Sequence, residues 1–112
     1  MAASKPLVWI ASSKRDLKTF PEAVKDVVGY ALYLAQIGRK HEAAKPLRGF
    51  GSAGVLEVVE DNVGGTYRGV YTVRFAGVVY VLHCFQKKSQ RTSNKDIQLA
   101  RKRYRDLMGE RT

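Results

Sequence analysis

The sequence predicts an α+β fold, in which an N-terminal helical hairpin packs on a mostly antiparallel sheet and a basic helix follows at the C-terminal end. Three observations predict it. Residues 21–40 carry apolar side chains at the three-and-four spacing of an amphipathic helix. Residues 55–60, 66–75 and 78–85 are β-branched and aromatic runs separated by short turn-prone segments, so three consecutive antiparallel strands are the economical pairing. Residues 93–108 return to helical spacing with cations on the outer side. At 112 residues the chain has the size of a single domain spanning residues 1–112, because domains commonly hold roughly 100–150 residues.

The elements follow in order. Residues 7–10, Leu-Val-Trp-Ile between Pro6 and Ser12, read as a short outer strand. Ser12 or Ser13 then caps a short helix carrying Asp16 and Leu17, and Pro21, preorganised for a first turn, opens the longer one. On that helix Val24, Val27, Val28, Ala31, Leu34 and Ala35 share a face, Gly29 weakens the helix and Gly38 ends it. Residues 41–54 contain Pro46 and three glycines, and read as a loop that presents Lys45 and Arg48. In the strand over 66–75, the two-residue period puts Tyr67, Tyr71, Val73 and Phe75 on an apolar side and Arg68, Val70, Thr72 and Arg74 on the other. In the last helix Ser93 and Asp96 form a capping box, and Ile97, Ala100, Tyr104 and Leu107 line one face.

Twenty lysines and arginines against ten aspartates and glutamates give a net charge of +10 and a pI near 10.0, an attraction for polyanions that points to nucleic acid or an acidic protein. The excess is concentrated: ten basic residues lie between positions 62 and 109, against only Asp96 and Asp106. The single cysteine, Cys84, excludes an intrachain disulfide and, between apolar neighbours, reads as packing. With two histidines there is no zinc-type cluster, and neither a metal nor a cofactor is expected. No apolar run approaches the roughly 20 residues that cross a bilayer, and the first residues lack a signal-peptide pattern, so a cytoplasmic location without membrane contact is expected.

The cations suggest a site. A guanidinium fork matches phosphate oxygens and a strand would hold it rigidly, although Arg68 and Arg74 also fit an ordinary wet face. At the end of the next strand His83, Lys87 and Lys88, followed by Arg91, leave the sheet together beside the arginine-bearing strand. A lone histidine in an apolar strand is commonly a hydrogen-bonded core residue, and a lysine pair commonly keeps an edge soluble. Residues 101–105 fit either a phosphate-contacting or a solvated helix face.

These residues resemble the RelE/ParE superfamily of bacterial toxins, in its HigB-like, phage-derived branch. The resemblance covers most of the chain and is carried by Lys45-Pro46-Leu47-Arg48-Gly49, Val55-Leu56-Glu57-Val58, Gly65-Thr66-Tyr67-Arg68-Gly69-Val70-Tyr71, the segment 82–92 with its Phe85-Gln86-Lys87-Lys88 and Thr92, and Ile97-Gln98-Leu99-Ala100. This branch often carries an arginine after the Glu-Leu pair of its second strand, where this chain has Val59 and Glu60, and often a proline where it has Ser93.

The resemblance implies a RelE-like small domain acting as the toxin of a type II toxin–antitoxin system. It would be a metal-independent mRNA endoribonuclease that works on the ribosome and stops translation. Its expected partners are the ribosome, mRNA and a cognate helix-turn-helix antitoxin with an acidic contact segment, joined in a toxin–antitoxin hetero-oligomer. By family position Arg68 and Lys87 would hold the scissile phosphate, with Arg74 and Lys88 as secondary contacts and His83 as an acid or base. Lys87 or Lys88, each flanked by cations that disfavour an ammonium, would serve as a base. Lys45, Arg48, Arg91, Arg101, Lys102 and Arg105 would grip flanking RNA or ribosomal RNA. Two other functions compete: a ParE-like inhibitor that binds DNA gyrase, which would need no histidine or lysine pair at the strand exit, and a noncatalytic RNA-binding module, which would expose stacking aromatics.

Overall fold

The computed structural model describes residues 4–50, 54–87 and 94–111. In chain order the elements are β1 (Leu7–Trp9), α1 (Ser13–Lys18), α2 (Glu22–Gln36), β2 (Ala44–Pro46), β3 (Val55–Asn62), β4 (Gly65–Thr72), β5 (Val79–Lys87) and α3 (Asn94–Arg111). They build the expected α+β architecture, a five-stranded sheet in the order β1-β5-β4-β3-β2. β3, β4 and β5 form the antiparallel meander, and β1 is the outer strand, parallel to β5.

The sheet is covered on both faces. On one, Leu17 and Phe20 from the α1 region and Val24, Val28, Ala31, Leu32 and Ala35 of α2 pack on Val58, Tyr67, Tyr71, Val81 and Cys84. Gly69 lets α2 come close, since a Cβ there would lie only 3.1 Å from Val28 Cγ1 and 3.4 Å from Val58 Cγ1. On the other face Ala100, Tyr104 and Leu107 of α3 meet Phe50, Val55, Val70, Leu82 and Phe85.

This second core corrects the reading of β4. The face expected to offer arginines to solvent is half covered by α3, with Val70 completely buried between Arg68 and Thr72. The strand ends at Thr72, whose hydroxyl donates to the Gly54 carbonyl at 2.8 Å and accepts from the Arg74 amide at 3.1 Å, although the alternation of faces carries on through Val73 on the α2 side and Arg74 on the α3 side. Beyond that closure Phe75 turns to the α3 side and meets Tyr80 edge-on. The segment 41–54 is likewise more than a loop. β2 adds to the sheet edge with Lys45 opposite Glu57, and Pro46 is tolerated there because an edge strand has ladder positions without a partner. Ser12 precedes α1 without a side-chain bond to its first amides; its hydroxyl donates to the Asp16 carboxylate at 2.7 Å. The capping role read for Ser93 lies outside the described residues.

Candidate nucleic-acid interface

Arg68 projects from β4 on the α3 side. Its Nη1 donates to Glu57 Oε2 at 3.0 Å, each side chain is 16% exposed, and the buried Nε has no hydrogen-bond partner. The pair lines a cleft of about 440 Å³ with Pro46, Leu47, Arg48 and Ile97. Lys45, opposite Glu57 in the β2–β3 ladder, and Arg48 are exposed at its rim. On β5 Phe85 stands opposite Arg68, and Lys87 follows two residues on, opposite Thr66; the strand period therefore puts Lys87 on the same face as Arg68. Sequence-predicted residues from three segments thus gather here: Arg68, Lys87, Lys45 and Arg48. Lys88 and Arg91 lie outside the described residues.

His83 is held differently. The register of β4 and β5 shifts at Val70/Tyr71 and leaves Leu82 without a ladder partner, a bulge that turns both Leu82 and His83 toward α3. The ring is 4% exposed and stacks on Phe85, with 4.8 Å between centroids. Arg103 Nη1 approaches Nδ1 at 3.3 Å, and a guanidinium only donates, so Nδ1 accepts and the Nε2 hydrogen is given to Asp96 Oδ1 at 2.8 Å. This is a neutral imidazole. Burial pushes its pKa below the ordinary value, the Asp96 hydrogen bond opposes the shift and the Arg103 charge adds to it. Arg103 further donates to the Leu82 carbonyl at 2.9 Å and to Ser12 Oγ at 3.2 Å, tying α3 to β5 and to the start of α1. With both ring nitrogens engaged, the acid or base role expected of His83 gives way to the hydrogen-bonded core reading. Cys84 is packing, as expected, with burial pushing its thiol up to about 12.

Arg74 stands apart from Arg68. It lies six residues further along the chain, roughly 20 Å if fully extended, and its Nη1 donates to Tyr104 Oη at 2.8 Å. It shares a cleft of about 430 Å³ with Arg101, Arg105, Gly49, Phe50, Tyr104 and Met108. Lys102 points to the opposite flank of α3, where it pairs with Asp106 at 2.8 Å. Among the described residues, the cations expected to grip RNA, Lys45, Arg48, Arg101, Lys102 and Arg105, therefore do not form one surface.

Sequence reasoning missed Glu57, Asp96 and Arg103 as partners. Glu57 was the most accessible, because the Asn62–Gly65 pairing sets the hairpin register and brings it diagonal to Arg68. Stacking aromatics, named above as the mark of a noncatalytic RNA-binding module, are present on α2, where Tyr30 and Tyr33 are 55% and 53% exposed with ring centroids 6.4 Å apart. Among the described residues no group of three or more histidine, cysteine or acidic side chains is placed to hold a metal. No helix among them is long and apolar enough to cross a membrane.

Residues 15–105 match the family described as phage derived protein Gp49-like (DUF891), and the chain belongs to that family. No curated protein matches the sequence. Among solved structures, a mutant of the E. coli toxin RelE in the free state is similar with a TM-score of 0.65 at 20% identity, covering 90% of this chain and 98% of that one. The toxin–antitoxin complex RelBE2 from Mycobacterium tuberculosis is similar with a TM-score of 0.50, also at 20% identity, covering 80% of this chain and 98% of that one. The fold is therefore that of the RelE toxins, as the sequence resemblance implied.

Proposed function

We propose that this chain is the toxin of a type II toxin–antitoxin pair and cleaves mRNA on the ribosome, acting in the cytoplasm as a single domain. Arg68 carries the reading: an arginine held in a strand by one carboxylate, with a free Nε, at a cleft rimmed by Lys45 and Arg48 and on the same face as Lys87. The RelE-type fold and the net charge of +10 support it.

Metal-free RNA cleavage uses the neighbouring 2′-hydroxyl as nucleophile, so the protein must take that proton, stabilise the charged phosphorane and assist the leaving 5′-oxygen. Arg68 and Lys87 supply fixed positive charge to the phosphorane, and the incoming phosphate competes with Glu57 for the guanidinium. Lys45 and Arg48 hold flanking phosphates. With His83 sealed against α3 and Lys87 kept charged, proton transfer falls to the other strand-exit lysine, Lys88. The same charge recruits an antitoxin with an acidic segment, which covers these cations until it is removed.

Pulse expression in bacteria, followed by mapping of new mRNA 5′ ends, tests the proposal. New ends inside translated frames, absent with an equal amount of Arg68→Ala protein, are the expected result. Growth arrest without new ends overturns it and leaves a gyrase-type target.

A further inference from the structure

We propose that Tyr30 and Tyr33 on α2, flanked by His41, form a stacking platform for unpaired bases of the same RNA strand whose phosphates occupy the Arg68 cleft. This rests on the RNA reading above and extends it to the opposite face of the sheet.

The fold does not use these rings. α2 packs through Val24, Val28, Ala31, Leu32 and Ala35, whereas Tyr30 and Tyr33 are 55% and 53% exposed. They stand one turn apart with planes within 22° of parallel, so they present one aromatic surface. A long helical side chain leans toward the helix N-terminus, which sets Tyr33 over the turn that holds Gly29. A Cβ on Gly29 would meet no atom within 4 Å among the described residues. Glycine weakens a helix, and here it leaves the space beside Tyr33 open.

The end of α2 completes the surface. Gly38, at φ +80°, closes the helix, and the Arg39 amide donates back to the Leu34 carbonyl at 2.7 Å. The returning chain sets His41 edge-on against Tyr30 with centroids 5.6 Å apart, and its Nδ1 accepts from the Ala43 amide at 2.9 Å, which fixes the ring. Arg39 and Lys40, both exposed, ride on this return and outnumber the carboxylate of Glu42, while Asp26 lies toward the other end of the helix. That order suits a nucleotide, with its phosphate toward Arg39 and Lys40 and its neutral base on the rings. An acidic peptide would answer the two cations and leave the rings unused. A second copy of this chain would bring +10 against +10.

The platform joins the Arg68 cleft around the β2 edge, where the sheet ends. His41 precedes Lys45 by four residues, roughly 14 Å at most. Across that step Ala44 packs on the α2 side and Lys45 reaches the rim of the Arg68 cleft, so a single strand can leave Arg68, pass Lys45 and round the edge to Tyr30.

Fluorescence anisotropy of the whole protein with a labelled eight-nucleotide 2′-O-methyl RNA, which lacks the nucleophile and stays uncut, tests this against an abasic strand of equal length. The parent should bind the base-bearing strand at least about fivefold more tightly. The Tyr30→Ala/Tyr33→Ala variant, melting near the parent, should bind both strands alike, and the Tyr30→Phe/Tyr33→Phe variant should restore the preference. Arg68→Ala should weaken both strands and keep their ratio. A parent without preference, an alanine pair that keeps it, or a phenylalanine pair that lacks it overturns the platform. Unweakened binding in Arg68→Ala overturns the shared strand, and a parent that sediments as a dimer beside a monomeric alanine pair gives the face to a second copy. New mRNA ends in cells without a base preference in solution remove only the platform; a base preference without new mRNA ends removes the ribonuclease and keeps an RNA-binding face.

Discussion

Glu57 and Arg68 meet diagonally across the β3–β4 ladder, carboxylate to guanidinium at 3.0 Å, with 16% of each side chain exposed. Arg68 is therefore aimed before any substrate arrives, and the group that aims it carries the opposite charge to the guanidinium and the same charge as RNA. Binding a phosphate exchanges one anionic partner for another while the strand keeps the arginine in place.

Breaking the pair should be felt in stability. Exposed pairs contribute up to about 1 kcal/mol and loss of one member of a buried pair costs about 3–5 kcal/mol, so Glu57→Gln and Arg68→Ala should each cost about 1–3 kcal/mol. Thermal unfolding should show a fall of several degrees for both, with Arg68→Ala still folded and no longer inhibiting growth. Unchanged melting in both variants would show that the pair contributes nothing to the fold.

His83 makes stability depend on pH. Its folded-state pKa is lowered, by burial first, and the groups facing it are Asp96, Arg103 and, further off, Asp16. Between the folded value and the ordinary 6.5 the unfolded chain binds the extra proton, so this contribution is complete above about 6.5 and is lost as pH falls from there through the folded value. Urea midpoints at pH 7.5, 6.5 and 5.5 should decline, and His83→Gln should flatten that decline. An identical slope in the variant would assign the pH dependence to other groups.

Two neighbours on β5 should respond in opposite ways. Phe85 is 7% exposed, stacked on His83 and packed under α3, so Phe85→Ala should cost roughly 3–5 kcal/mol and lose toxicity through unfolding. Lys87 makes no contact of that kind, and Lys87→Ala should melt near the parent yet lose growth inhibition. Comparing soluble yield, melting and toxicity of the two variants checks both, and an equally stable Phe85→Ala protein would contradict the packing described.

The meander was legible because β-branched runs and a two-residue turn leave little choice of pairing, and α2 because its apolar side chains repeat at helical spacing. Arg68 could be singled out, and Glu57 as its partner was within reach only by counting the register back from the Asn62–Gly65 turn to a diagonal contact, a step beyond strand period. His83 misled for a physical reason: strand period alone does not reveal the Leu82 bulge, which turns the ring under α3 toward Asp96 and Arg103. Arg74 was grouped with Arg68 by parity and does lie on the α3 side; what separates them is distance along the strand, since Arg74 sits beside Tyr104 and outside the Glu57–Arg68 cleft. β2 was hidden by Pro46, which reads as a loop signal unless a sheet edge is available to it.

Charge should govern the meeting with the antitoxin. An acidic segment approaching a protein of charge +10 associates quickly at low salt and more slowly as salt screens the attraction. Stopped-flow association at 50 and 300 mM salt should show a marked fall in on-rate with a smaller change in off-rate. A salt-independent on-rate would mean that apolar contacts, not these cations, guide the partner.

The central claim concerns where the message is cut. Phosphate contacts of the kind proposed for Arg68, Lys87, Lys45 and Arg48 would hold any RNA and read no sequence, so the proposed cleavage depends on something else to fix the message in a cleavable conformation. On the proposed reading the ribosomal A site supplies that geometry. The most direct measurement incubates the purified protein with one message, free and in programmed ribosomes, and follows cut sites and rates. The account predicts cleavage within codons far faster on the ribosome than on free message, with Arg68→Ala lowering the ribosomal rate roughly 100-fold, the scale of removing one fixed electrostatic contact from an active site. Equal rates and equal cut sites on free and ribosome-bound message would contradict it.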